Sequence, residues 1–120
     1  MNETDAAWPQ AWVRAALGTA VLAVLQDGPL HGYGIANQLA VRGFGRPKGG
    51  SLYPLLNRLE SEDALHAYWE SQETGPGRRT YALTDAGHAR LMQERGQWAS
   101  LIAALNETTP IKEDILAENV

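Results

Sequence analysis

The residues best suited to chemistry here are cations. Between Gly28 and Arg58 the chain carries no Asp or Glu, while Arg42, Arg46, Lys48 and Arg58 all fall within that stretch. Arg78 and Arg79 add a second basic point. The acids gather elsewhere, at Glu60, Glu62 and Asp63, at Glu70 and Glu73, and at Glu113, Asp114 and Glu118. An acid-free basic segment in a chain of net charge -4 marks a surface suited to an anion, because the distribution of charge matters more than its sum. Chance clustering of surface charge is the plain alternative. Within the segment, Lys48-Gly49-Gly50-Ser51-Leu52-Tyr53 suits a phosphate. The glycines let the backbone approach closely, N–H groups at a helix start attract negative charge, and Lys48 and Ser51 supply donors. Tyr53 and Arg58 lie off the leucine stripe that follows, so the Tyr53 hydroxyl can donate to a phosphate and Arg58 can reach a backbone or a base edge. Two ordinary roles compete: Tyr53 packing on a neighbouring hairpin, and Arg58 pairing with Glu62 one turn on.

Other chemistries find little support. With no cysteine, disulfides, thiolate metal sites and cysteine nucleophiles are excluded. His31, His66 and His88 are too scattered for a ligand cluster, and His31, at the start of the second helix, has an N-terminal or phosphate contact as its ordinary explanation. Gly43-Phe44-Gly45 and Gly75-Pro76-Gly77 read as turns rather than phosphate loops. No enzyme, metal or cofactor is expected. The N-terminus, with Glu3 and Asp5 and no basic cluster, does not read as a secretory signal. The mostly apolar stretch 15–25 is too short to cross a bilayer, which takes about 20 residues. The chain is expected to be cytoplasmic, with no membrane partner.

Positioning those cations requires a compact scaffold, and 120 residues suffice for one domain with a short appendage. Apolar spacing predicts a first helix over about 10–26, stopped by Asp27-Gly28-Pro29. Trp8 and Trp12 lie one turn apart if that helix extends back through Pro9. A second helix is expected over about 31–41, with Tyr33, Ile35, Ala36 and Leu39 on it. Pro47 separates it from a third, which starts near Gly50 or Ser51 with Ser51 a candidate N-cap, so that Pro54 falls in the first turn. Leu52, Leu55, Leu56 and Leu59 give that helix one apolar stripe. Strands over about 65–71 and 78–83 form a hairpin around Gly75-Pro76-Gly77. Alternation along the second strand sends Arg78 and Arg79 to opposite faces. Thr84 then caps a long helix over about 85–106. On it Leu91, Arg95, Trp98, Ile102 and Leu105 step by four and three, the spacing of a helix–helix seam. This order makes a mainly α (α+β) winged helix-turn-helix, residues 10–84, with a C-terminal dimerisation helix, residues 85–107. Residues 108–120 are expected to be a frayed tail.

Three motifs carry a family resemblance. Pro29-Leu30-His31-Gly32-Tyr33-Gly34-Ile35, then 51–60 (SLYPLLNRLE), then 77–87 (GRRTYALTDAG) resemble, in order, the signatures of PadR-type transcriptional regulators. The short C-terminus is similar to the smaller subfamily with multidrug-sensing members. One departure is Asp63-Ala64, where the family usually carries a glycine after an acidic residue.

The resemblance implies a homodimeric repressor that binds an inverted repeat in double-stranded DNA and is released by a small effector. The DNA-contact set expected is Lys48, Gly49, Ser51, Tyr53, Arg58, Arg78, Arg79 and Tyr33. In the multidrug-sensing members an aromatic residue of the long helix and its dimer mate line a flat cavity. Trp98 stands at the matching position, with Trp12 and Ala15 of the first helix as candidate neighbours for a planar aromatic effector. A cationic effector would gain further attraction from the ring faces, and Glu94 is the nearest helical acid. Trp98 is equally a natural packing anchor on the seam. Two rivals remain: a winged helix used for protein contact without DNA, and a regulator with no small ligand.

Overall fold

The computed structural model describes residues 5–107, so the expected C-terminal tail, 108–120, lies outside the described residues. The elements are α1 (Gln10–Val24), β1 (Leu30–His31), α2 (Gly32–Val41), α3 (Gly49–Ser61), β2 (Leu65–Glu70), β3 (Arg78–Leu83) and α4 (Asp85–Leu105). The strands form one antiparallel sheet of order β1-β3-β2. In it Leu65 faces Leu83 and Glu70 faces Arg78, which fixes the register of the wing hairpin. Three helices, a hairpin and a long terminal helix make the winged helix-turn-helix that periodicity predicted.

One apolar core holds these elements together. Val21, Leu22 and Leu25 at the end of α1 and just beyond it meet Ile35 and Leu39 of α2. The leucine stripe of α3, Leu65 of β2, Tyr81 of β3 and Leu91 of α4 complete the core. Burying each large aliphatic side chain contributes about 1.5–3 kcal/mol, so the α3 stripe alone fixes which side of that helix remains outward.

Several boundaries differ from expectation for physical reasons. Pro9 is the N-cap of α1, so Trp8 lies outside the helix. Its ring packs instead on Phe44, with centroids 5.3 Å apart, and Ala7 N–H donates to the Gly43 carbonyl at 2.8 Å. The N-terminal segment thereby straps the turn that precedes α3. Strand β1 is a pairing of two residues, too short to leave a periodic signal. It opens the segment assigned to helix two, which starts one residue later than expected, at Gly32.

Helix α3 begins with Lys48 as its N-cap, not Ser51, and no side chain caps it. The Ser51 and Leu52 N–H groups both donate to the Lys48 carbonyl, at 2.9 Å each. Pro54 consequently sits in the second turn rather than the first. The bond it cannot make is the one to Gly50, an exposed glycine whose carbonyl water can reach.

Two helices end alike on different residues. After α2, Gly43 adopts φ 96°, and Gly43 and Phe44 N–H return to the Ala40 and Leu39 carbonyls. After α3, Asp63 adopts φ 64°, and Asp63 and Ala64 N–H return to the Glu60 and Leu59 carbonyls at 3.0 and 2.9 Å. The departure from the family pattern thus occupies a left-handed position, which Asp tolerates better than most non-glycine residues.

The start of α4 is locked to that same turn. Thr84 Oγ1 accepts from Gly87 N–H at 2.9 Å and donates to the Asp63 carbonyl at 2.5 Å. Gly87 must be glycine, because a Cβ there would lie 2.1 Å from the Ala64 carbonyl oxygen. Farther along, α4 is tied to α1. Trp98 Nε1 donates to Thr19 Oγ1 at 3.0 Å, and that hydroxyl donates to Glu94 Oε1 at 2.5 Å. Arg90 bridges Glu94 and Glu62 at 2.8 Å each, which joins α4 to the end of α3.

Candidate nucleic-acid interface

The leucine stripe of α3 faces the core, and this leaves Lys48, Gly49, Gly50 and Ser51 exposed at its start. Tyr53 is also outward, 46% exposed. Its hydroxyl lies over Gly32 at the start of α2, where an added Cβ would approach it to 2.5 Å. The first turns of α3 and the start of α2 are therefore one continuous surface.

The two wing arginines have separate partners, as strand alternation requires. Arg79 donates to Glu60 of α3 at 3.0 Å and lies 5.9 Å from the Tyr81 ring. Its bond to Glu60, then that to Tyr81, raises its pKa further above the ordinary arginine value. Arg79 thus braces the wing against α3. Arg78 is exposed, and its Nη1 donates to His31 Nε2 at 3.2 Å. Arg46 donates to the Asn37 side chain and lies 5.3 Å over the Tyr33 ring, while Tyr33 stacks on His31. Among the described residues, the ion pairs are Arg79–Glu60, Arg90–Glu62 and Arg90–Glu94. Lys48, Arg46 and Arg78 belong to none of them.

Arg58 is placed differently. Glu62, its expected partner, is held by Arg90, and Arg58 lines a groove between α1, α3 and α4. That groove has a volume of about 710 Å³ and also carries Arg14, Ala15, Glu94 and Trp98. Ala15 and Trp98 thus share one cavity wall. Trp12 does not line it and is 65% exposed. The expected charge of Glu94 towards a cation is already spent: burial raises its pKa, but the Thr19 hydroxyl and Arg90 outweigh this and hold it below the usual carboxylate value. With Arg14 and Arg58 beside it, the groove disfavours a cationic ligand.

The seam also needs correction. Leu91 is 0% exposed and belongs to the core of its own chain, so it offers no surface to a partner. Arg95 is outward, Trp98 is partly buried against Thr19, and Ile102 and Leu105 are exposed, with Leu101 beside them. The exposed large apolar residues of α4 are therefore Met92 near its start and Leu101, Ile102 and Leu105 in its last turns, and only the latter cluster.

Arg46 and Thr19 are absent from the expected contact set, and His31 enters the sequence reading only as an N-terminal or phosphate contact. Arg46 had a signal, since it stands in the acid-free stretch two residues before Lys48. Thr19 had none, because its role arises only when α4 crosses α1. Among the described residues no group of His, Asp and Glu could hold a metal ion, and no helix is long and apolar enough to cross a membrane.

Comparison with known proteins agrees with this architecture. Residues 21–93 match the model of the transcriptional regulator PadR-like family. The chain is 37% identical over 82 residues to the transcriptional regulator Rv3488 of Mycobacterium tuberculosis, a match covering 68% of this chain and 75% of that protein. A PadR family transcriptional regulator from Eggerthella lenta superposes with a TM-score of 0.71 at 32% identity, over 82% of this chain and 88% of that one. Bacillus subtilis PadR, solved in complex with operator DNA, superposes with a TM-score of 0.57 at 29% identity. That match covers 81% of this chain but only 50% of the Bacillus protein. With its winged helix, its long terminal helix and a family match across most of its length, this chain belongs to the PadR-like family of transcriptional regulators.

Proposed function

We propose that this chain is a homodimeric DNA-binding regulator, acting as a repressor, whose grip on an inverted repeat is loosened by a planar aromatic effector. One observation carries the DNA reading: the start of α3 is exposed, with Lys48 and Arg46 just before it, and neither these nor Arg78 of the wing pairs with a carboxylate among the described residues. The Bacillus PadR complex with operator DNA supports the same use of the fold. Residues 10–84 supply the winged helix. Within residues 85–107, Leu101, Ile102 and Leu105 supply an apolar surface for a second copy. In such a dimer the two α3 helices enter successive major grooves about 34 Å apart.

Trp98 supports the effector reading. Its indole N–H is engaged by Thr19, so the ring faces rather than the ring edge are left for a ligand. The arginines of the adjoining groove favour a neutral or anionic planar compound over a cation. An effector there changes the separation of the two α3 helices and so lowers affinity. Loss of ligand-induced tryptophan quenching in Trp98→Ala, with DNA binding kept, tests this part.

Selection of bound duplex from a random pool tests the main reading. Enrichment of two half-sites about one DNA turn apart supports it. A pool that stays random after repeated rounds, with the purified chain folded, favours the winged helix as a protein-contact module.

A further inference from the structure

A row of four side chains crosses the protein from the turn before α3 to the wing. Arg46 lies over the face of Tyr33, Tyr33 stacks on His31 with centroids 6.3 Å apart, and His31 Nε2 meets Arg78 Nη1 at 3.2 Å. The residues come from the α2–α3 turn, α2, β1 and β3, so four parts of the fold are linked by successive contacts. None of the four is an acid, and none pairs with a carboxylate among the described residues. Tyr33 is 65% exposed, too outward to be explained by the core.

Each junction in the row orients a donor. Asn37 and the Tyr33 ring hold the Arg46 guanidinium in one attitude without neutralising it. Arginine can only donate, so His31 Nε2 is the acceptor of this bond. Two oriented guanidinium groups therefore stand at the ends of a flat aromatic spacer. The row borders the start of α3, since Tyr53 covers Gly32 between His31 and Tyr33. A DNA strand presents one phosphate for about every 3.4 Å of helix axis, so a row of this length meets more than one.

The geometry points to a phosphate rail: Arg46 and Arg78 each grip the backbone of one strand beside the major groove that α3 enters, and Tyr33 and His31 set their spacing. The inference rests on the DNA-binding reading and deepens it. It makes Arg46 a phosphate contact and recasts Tyr33 as a positioning residue rather than a direct contact. Guanidinium and aromatic groups of this kind carry little base information, so the rail fixes register on the duplex while α3 reads sequence.

Salt dependence separates gripping from bracing. The affinity of the full-length chain for a short random-sequence duplex is measured by fluorescence anisotropy over a series of salt concentrations, with thermal melting as the check on folding. Loss of one phosphate contact flattens the slope of log K against log salt by about 0.9. In a dimer each substitution removes one contact per copy, so Arg46→Ala and Arg78→Ala are each expected to flatten the slope by about 1.8, and Arg46→Lys to retain the wild-type slope. Tyr33→Phe keeps the stack and changes nothing. Tyr33→Leu lowers affinity with the slope unchanged, because both charges remain. If wild type binds and Arg46→Ala keeps its full slope while Lys48→Ala flattens it, the rail is overturned and the DNA reading stands. If wild type ignores duplex at every salt concentration, both fall together.

Discussion

Helix α4 begins inside a core and ends outside one. Its first turns are capped by Thr84, pressed by Gly87 onto the Ala64 carbonyl and anchored by fully buried Leu91. Its last turns expose Leu101, Ile102 and Leu105, the last to 72%. The same helix thus follows two rules. Near Thr84 the winged helix buries Leu91 completely and leaves Met92 outside, whereas beyond Trp98 no apolar residue of the helix is buried by its own chain among the described residues. The Trp98–Thr19–Glu94–Arg90 chain of hydrogen bonds marks the changeover. Apolar spacing along a helix therefore does not by itself say whose core a residue joins.

The sharpest way to break this comparison is to replace one aliphatic side chain from each regime. Leu91→Ala is expected to destabilise the folded chain by about 2–5 kcal/mol, with a fall in melting temperature. Ile102→Asp should leave the stability of the separated chain within about 0.5 kcal/mol yet weaken self-association tenfold or more. Sedimentation over a dilution series reads the second effect and denaturant melts at low concentration read the first. Equal behaviour of the two variants would erase the distinction.

A smaller effect is expected at the cap. Thr84→Ala removes the bond to Gly87 N–H and that to the Asp63 carbonyl, lowering stability by about 1 kcal/mol. The smallest lies at the changeover and depends on acid. Glu94 has a folded pKa below its ordinary value, so its contribution is complete above the usual carboxylate range of about 4.3 and is lost as pH falls through the folded value. Wild type should lose stability there more steeply than Glu94→Gln, as followed by acid titration of the α-helical signal. Parallel curves would show that the Thr19 and Arg90 contacts contribute no net stabilisation of the ionised form.

Much of this was legible in the sequence because it depends on local pattern. The α3 stripe, the hairpin turn and the Thr84 cap are each written within a dozen residues. The acid-free stretch located the candidate interface for the same reason. What stayed hidden required long-range geometry. Strand β1 exists only through its pairing with β3, and Leu91 looks like a seam residue until the hairpin is folded beneath it. Arg79 reads as an unpaired cation until Glu60 comes within reach. Ser51 looked like the better cap because of its hydroxyl, but the helix begins at Gly49, where Lys48 precedes it. Asp63 looked like a departure from the family pattern, and only its positive φ shows that the backbone requirement is unchanged.

The central claim is that two copies of this chain, joined through the exposed end of α4, present their α3 helices to one duplex. Sedimentation of the full-length protein with a duplex bearing the selected inverted repeat measures that directly. The account predicts two chains per duplex, and one chain per duplex, at lower affinity, when Ile102 is replaced by Asp. A single chain bound with undiminished affinity, or no complex in dilute buffer, would contradict it.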